Sequence, residues 1–279
     1  MSDPWQRPPI ATSPLSVVLP AFNAAADLEA ILTAWVKELD RLSRPYEILL
    51  VDDASTDETA VRAEALVGQM PALRVLRHAV RRGLGAALRT GIEAASHPLL
   101  FYTICDRQYR PEDLKVLLAA IDRVDLVTGC RAGRPTPGWA HALGTTYRLF
   151  VRVLFGLQLE PSRCWLGASG WLRRRVARWI FGVRVDDPEC AFRLFRRSIL
   201  QRFPIQTDGD FAQVEILAKA NFVGCLIDQV PVAHQPRPDG RPLAPDGLSD
   251  RPGRDAYRLF RAATFNPPEA QPAVPAVKA

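Results

Sequence analysis

Five apolar runs alternate with amphipathic stretches over the first 130 residues, and this alternation leaves few folds open. The runs are LSVVLPAF (15–22), YEILLV (46–51), LRVL (73–76), LLFYTI (99–104) and DLVTGC (125–130). Strands that are apolar along their whole length are covered on both faces, as in a mostly parallel sheet with helices on each side. The intervening pattern predicts helices from about Ala26 to Leu42 and from Thr56 to Met70, the second capped by Ser55 or Thr56. Further helices are expected through GAALRTGIEAA and through PEDLKVLLAAI (111–121), where Pro111 stands at the first helical position.

In such sheets ligands bind outside the carboxyl ends of the strands. The residues expected there are Asn23, Asp52 and Asp53, Arg81 to Gly85, Asp106 to Gln108, and Arg131. Acids, amides, glycines and arginines gathered on one edge make a polar site, not a core. GLGAAL (83–88) is a poor dinucleotide fingerprint, because it follows the third strand and lacks the last glycine. It reads either as a tight strand-to-helix turn or as a phosphate contact.

The net charge of +6 and pI near 9.3 favour an anionic partner: phosphates, nucleic acid or an acidic membrane surface. No nucleic-acid motif is present, and the arginines cluster in amphipathic stretches, so nucleic acid is set aside. Five scattered cysteines with no CxxC pair argue against a disulfide framework or a zinc site and point to a reducing, cytoplasmic compartment. The N-terminus has no signal-peptide core, and no stretch approaches the ~18 apolar residues of a spanning helix.

VVLPAFN (17–23), VDDASTDET (51–59), RGLGAALRTG (82–91) and YTICDRQYRPEDL (102–114), in this order, resemble the family 2 glycosyltransferases of the GT-A fold. The resemblance is strongest to the branch containing dolichol-phosphate mannosyltransferase and bacterial polyprenyl-phosphate glycosyltransferases. GCR (129–131), DDPECAFRLFRR (186–197), FAQVEILAKA (211–220) and VPVAHQPRPDG (230–240) extend it over about residues 15–241. It implies a GT-A domain over 15–241, with a nucleotide-sugar half (15–131) and an acceptor half (132–241). A disordered N-terminal tail (1–14) and a C-terminal extension (242–279), Pro- and Ala-rich and disordered over 266–279, are expected to flank the domain.

The resemblance also implies site residues. Pro20, Ala21, Phe22 and Asn23 would line the nucleotide. Asp52 or Asp53 would accept from the base or ribose, the alternative being that Asp53 and Ser55 organise a turn and cap a helix. Arg131 would lie near the diphosphate. Asp106 and Gln108 would hold Mg²⁺ or Mn²⁺ against it, with Asp106 counted among the catalytic residues. Relatives read Asp-x-Asp-x-Gln here, and this chain has Ile104 at the first acid. Ala24, Arg81 and Arg110 also depart from the family pattern, in a direction that loses acids and gains cations. Arg81, Arg82, Arg107 or Arg110 would then contact diphosphate directly. The opposite outcome is a catalytically impaired protein that only binds nucleotide-sugar.

On the acceptor side, Arg193 and Arg237 are expected to hold a polyprenyl phosphate, whose ionised oxygen would attack the anomeric carbon with inversion. Arg237 and Glu215 are counted as catalytic. Glu215 would position a sugar hydroxyl, or act as base if the acceptor is a saccharide met by a soluble transferase. Its bland alternative is an i,i+4 pair with Lys219. Amphipathic helices at about 140–181, with Trp165, Trp171 and Trp179 beside Arg173, Arg174, Arg175 and Arg178, fit a lipid surface. They fit a second copy of the chain as well. Peripheral membrane contact is expected through 147–181.

Overall fold

The protein is described by a computed structural model over residues 10–132, 185, 187–235, 255, 258, 259 and 261–266. The expected alternation forms. In chain order the elements are β1 (Leu15–Ala21), α1 (Leu28–Arg41), β2 (Tyr46–Asp52), α2 (Thr59–Val67), β3 (Leu73–Arg77) and α3 (Leu84–Ala94). They continue with β4 (Leu99–Thr103), a 3-10 turn (Pro111–Asp113) leading into α4 (Leu114–Ala120), and β5 (Leu126–Ala132). Last come β6 (Phe192–Arg196), α5 (Arg197–Leu200), α6 (Ala212–Phe222) and β7 (Ile227–Ala233).

The strands form a seven-stranded sheet in the order β3-β2-β1-β4-β6-β5-β7. β6 runs antiparallel to β4 and β5, and the other neighbours are parallel. β1 and β4 are adjacent although the chain first builds outward from β1 through β2 to β3. That reversal opens a crevice at the carboxyl ends of β1 and β4.

Side chains alternate across the sheet and create two cores. On one face Trp35 of α1 meets Phe101 and Phe192, with ring centroids 5.3 and 6.2 Å away. On the other, Tyr102 stacks on Phe195 at 5.8 Å. α3 lies on β1 so closely that a Cβ at Gly91 would stand 2.3 Å from Val18 Cγ1, which is why glycine occupies that helical position.

Two boundaries move outward. Ile10 and Ala11 donate their N–H groups to Asp122 Oδ1 at 2.6 and 2.8 Å, and Arg44 donates to the Ala11 carbonyl. Residues 10–14 therefore belong to the domain and not to the tail expected over 1–14. Beyond residue 241, Leu259 is buried and Asn266 N donates to the Arg202 carbonyl at 2.8 Å, so part of the C-terminal extension packs on the same body. The amphipathic segment at 140–181 lies outside the described residues.

Candidate functional site

The loops after β1 and β2 are braced against each other. Asn23 and Ala54 both take left-handed backbone, at φ 51° and 56°. Asn23 N donates to Ser55 Oγ at 2.9 Å, and Thr56 N donates back to Asn23 Oδ1 at 2.9 Å. Ala24 N reaches Thr59 Oγ1 at 2.8 Å, and Ala25 N reaches Asp57 Oδ2 at 3.1 Å. Ser55 to Asp57 are spent on this brace, so α2 begins at Thr59 and not at the expected Thr56, and Ser55 caps no helix. Pro20 and Ala21 end β1 buried, while Phe22 is half-buried beyond them.

The two aspartates after β2 separate in role. Asp53 Oδ1 accepts from His78 Nδ1 at 2.6 Å and from Arg82 N at 2.9 Å, and Oδ2 accepts from Gly83 N at 2.7 Å. Asp53 thus ties β2 to the turn between β3 and α3, and both oxygens are engaged. This is turn organisation, although of a different turn from the one expected. Asp52 is fully buried; its Oδ1 accepts from Ser55 N at 3.2 Å, and Oδ2 lies 3.6 Å from Arg77 Nε. Of the pair, Asp52 Oδ2 keeps the capacity to accept from a ligand.

The glycine turn is also settled. Gly85 N and Ala86 N donate to the Asp208 carbonyl at 2.6 and 3.2 Å. Together with Asp53, that carbonyl satisfies the N–H groups of Arg82, Gly83, Gly85 and Ala86, so the amino end of α3 is closed by protein groups. A Cβ on Gly85 would sit 2.0 Å from the Thr207 carbonyl oxygen, and one on Gly83 2.6 Å from that of Asp208. The glycines admit a neighbouring chain segment, and this is not a phosphate cradle. Just before them, the Arg81 guanidinium carbon lies 3.6 Å from the centre of the Phe22 ring.

Asp106, Gln108 and His234 share a corner. After β4 the chain is held to β1 by Cys105 N donating to the Pro20 carbonyl at 2.9 Å, and Asp106 Oδ1 accepts from Gln108 N at 3.0 Å. Gln235 N donates to the Gln108 carbonyl at 2.8 Å, and Tyr109 bridges to His234, their rings 5.5 Å apart. Asp113 Oδ2 accepts from Ala233 N at 2.7 Å, fixing the end of β7 against the same loop. A carboxylate, an amide oxygen and an imidazole are donors that fit Mg²⁺ or Mn²⁺ when ligand oxygens complete the shell. Among the described residues no cluster of three or more His, Cys, Asp or Glu could hold a metal unaided. Ile104, at the expected first acid, packs against the core. Burial, aided by the charges of Asp106 and Asp27, pushes the Cys105 thiol up to about 12, so it stays protonated beside Asp106 at neutral pH.

Protein groups engage Arg131, expected near the diphosphate, and Arg193 and Glu215, expected on the acceptor side. Arg131 Nε and Nη2 form a fork on Asp187 at 2.6 and 2.8 Å, and Asp187 is fully buried. Burial works against the Arg131 charge, but the hydrogen bonds and charge of Asp187 outweigh it and raise its pKa. One edge of this guanidinium is therefore committed to protein. Arg193 is fully buried, donating to Thr128 Oγ1 at 3.2 Å, to the Gln213 carbonyl at 2.5 Å and to the Pro188 carbonyl. It knits β6 to α6 and does not face an acceptor.

Glu215 is fully buried too. Its oxygens accept from Gln206 N at 2.7 Å, Thr207 N at 2.9 Å and the Thr207 hydroxyl, and Lys219 Nζ lies 2.8 Å away. Lys219 also donates to the Pro204 carbonyl and Gln206 Oε1 at 2.6 and 2.7 Å. The i,i+4 pair is thus a buried clasp on loop 204–207, and a catalytic base role for Glu215 is corrected. Arg237 lies outside the described residues. Cys130 is disulfide-bonded, while Cys105, Cys190 and Cys225 are buried and form no disulfide.

Sequence reasoning missed His234, Asp187 and His78. His234 stands two residues past the buried Val232 at the end of a strand, and that position is the signal it offered.

With this geometry in place, the sequence is found to match glycosyl transferase family 2 over residues 16–203, about two thirds of the chain. The chain belongs to glycosyl transferase family 2. Curated relatives include the dolichol-phosphate mannosyltransferase of Pyrococcus furiosus, 32% identical over 75% of this chain and 53% of that protein. The dodecaprenyl-phosphate galacturonate synthase of Rhizobium johnstonii is 28% identical over 70% of this chain and 51% of its own. The dolichyl-phosphate beta-glucosyltransferase of Saccharomyces cerevisiae is 27% identical over 78% and 66%. The chain spans about half to two thirds of the length of these relatives. Among solved structures, Mycobacterium tuberculosis glucosyl-3-phosphoglycerate synthase with uridine diphosphate superposes with a TM-score of 0.59, covering 90% of this chain and 80% of that one at 22% identity. A second form of that synthase, with Mn²⁺, uridine diphosphate and phosphoglyceric acid, gives 0.59 at 20% identity, covering 91% and 81%. The fold of this family 2 member is therefore GT-A, with its polar edge on the side where Asp52, Arg81, Asp106 and His234 stand.

Proposed function

We propose that the chain binds a nucleotide-diphosphate sugar at this edge and transfers the sugar, with inversion, to a polyprenyl phosphate. The observation that carries the reading is the corner formed by Asp106, Gln108 and His234 beside the Phe22 and Arg81 loops, in a family whose relatives above are named for prenyl-phosphate acceptors. The acceptor phosphate is ionised at neutral pH, so its oxygen attacks the anomeric carbon without a strong base, and nucleoside diphosphate leaves. This agrees with the withdrawal of Glu215 into the core. Asp52 accepts from the base or ribose, and Phe22 lines the base. A divalent cation held by Asp106, Gln108 and His234 would neutralise the departing diphosphate. Arg131 contacts the diphosphate through the edge of its guanidinium not taken by Asp187, and Arg237 binds the acceptor phosphate. A membrane contact through 147–181 brings the lipid to the site; no described helix is long and apolar enough to cross a membrane.

The test is transfer of radiolabelled sugar from UDP- and GDP-sugars to a short-chain polyprenyl phosphate in detergent, with Mg²⁺ or Mn²⁺. Lipid-linked product formed by the wild type and reduced by about two orders of magnitude or more in both Asp106→Ala and His234→Ala supports the reading. Label transferred only to water or to free saccharide overturns the acceptor assignment. Binding of donor with no turnover toward any acceptor would instead make this a nucleotide-sugar-binding protein.

A further inference from the structure

The loop after β4 crosses strands with which β4 is not continuous. In the sheet β4 and β7 are separated by β6 and β5, so their ends stand three strand spacings apart, roughly 14 Å. The loop nevertheless meets the end of β7. Gln235 N donates to the Gln108 carbonyl at 2.8 Å, and Tyr109 pairs antiparallel with His234.

Tyr109 fills that span. Its ring centre lies 5.3 Å from that of Phe192, at the start of β6, and 5.5 Å from the His234 imidazole, which it meets edge-on at 67°. Its hydroxyl accepts from Ala191 N at 3.3 Å, and the Cys190 thiol lies 3.6 Å away. Burial holds this hydroxyl well above its ordinary value, so it stays neutral beside Arg131 and Asp187. The side chain therefore brings shape and a hydrogen bond to the edge, and no charge.

The affinity of a metal site depends on the groups behind its ligands, because those groups fix each ligand's orientation. Tyr109 stands behind two of the three cation donors named above: Gln108 precedes it in the chain, and His234 packs on its ring. We propose that Tyr109 is a positioning residue for the cation: its ring, wedged between Phe192 and His234, sets the imidazole against Asp106 and Gln108, and its hydroxyl anchors that corner to the segment before β6. This rests on the cation reading above and adds to it the side chain on which the geometry of the corner depends.

The test is a titration with Mn²⁺ followed by the free-ion EPR signal, with UDP or GDP present, which reads both affinity and sites per chain. Tyr109→Leu removes the ring, and Mn²⁺ binds about 10- to 100-fold weaker. Tyr109→Phe keeps the ring and loses only the anchor, so the loss is about 2- to 10-fold. Tyr109→Met, flexible enough to fill the gap, replaces Tyr109→Leu should that variant fail to fold. A merely structural role would lower the number of sites per chain and leave the affinity of those that remain. That result, or wild-type affinity in Tyr109→Leu, overturns the positioning role. His234→Ala and Asp106→Ala are the controls. Weak Mn²⁺ binding in both beside wild-type binding in Tyr109→Leu overturns the positioning role alone. Wild-type binding in both controls, or no Mn²⁺ binding by the wild type with either nucleotide, overturns the cation reading as well.

Discussion

Removing the Glu215 carboxylate separates a buried clasp from a catalytic acid by its cost in stability. In Glu215→Leu the Lys219 ammonium stays fully buried with only the Pro204 carbonyl and the Gln206 amide oxygen as acceptors, and Gln206 N and Thr207 N lose theirs. Breaking a buried pair in this way costs about 3–5 kcal/mol, a large share of the ~5–15 kcal/mol that holds a domain folded. Lys219→Met leaves the carboxylate with three donors, Gln206 N, Thr207 N and the Thr207 hydroxyl, so it should cost about 1–2 kcal/mol less. Guanidinium denaturation with linear extrapolation reads both values and their order. The second readout is the pH–rate profile of Glu215→Gln: a base would take the acidic limb with it, whereas a clasp leaves the shape unchanged and lowers the melting temperature. Wild-type stability in Glu215→Leu, or loss of the acidic limb in Glu215→Gln with the melt unchanged, refutes the clasp.

Gly85→Ala should destabilise by about 1–3 kcal/mol although alanine favours helix, because its Cβ would meet the Thr207 carbonyl oxygen; a gain in melting temperature would show that the loop does not press on α3. Asp53→Asn keeps shape but turns an NH₂ toward Arg82 N or Gly83 N, so stability should fall by about 1–3 kcal/mol with donor affinity following it, checked by melts and nucleotide titration. Glu47 gives a pH signature. Burial pushes its carboxyl up, but hydrogen bonds from Ser16, Ser96 and Arg74 outweigh this and bring it from 4.5 down to about 2. A depressed carboxyl stabilises fully above its unfolded value and loses that contribution as pH falls toward 2, here about 3 kcal/mol. Ser96→Ala should flatten the loss of stability between pH 4.5 and 2, and an unchanged slope would refute the assignment.

How far the sequence could be read depended on the reach of the interaction concerned. Strands were legible because Val17 to Leu19, Ile48 to Val51 and Leu99 to Tyr102 are buried on both faces, and burial leaves an uninterrupted apolar run. The carboxyl edge followed from topology, and Asp53, Arg81, Asp106 and Arg131 stand at or just beyond the ends of β2, β3, β4 and β5. Their roles did not follow, because the groups that bind them come from far along the chain. Asp187 reaches Arg131 across 56 residues, and Asp53 holds a turn 30 residues on. The start of α2 was misplaced for the same reason: Thr56 is a fair cap in isolation but is claimed by Asn23. Glu215 and Lys219 had the spacing of a surface pair, and only the packing of α6, buried from Ala212 to Ala220, makes them an interior one.

The aspartate that locks the glycine turn and the one that retains an acceptor are adjacent, and this division carries the logic of the donor side. A strand end offers successive side chains to opposite faces, so Asp53 can be spent on α3 while Asp52 turns to the other side. The consequence is a rigid frame: Asp53 from β2 and Asp208 from the segment before α6 close the amino end of α3 from two directions. A frame fixed by protein–protein hydrogen bonds contributes little charge of its own to a bound diphosphate. On the proposed function, neutralisation would fall to the donors at Asp106, Gln108 and His234. Ile104 packs inward against the core, so the frame's geometry does not depend on an acid at that position.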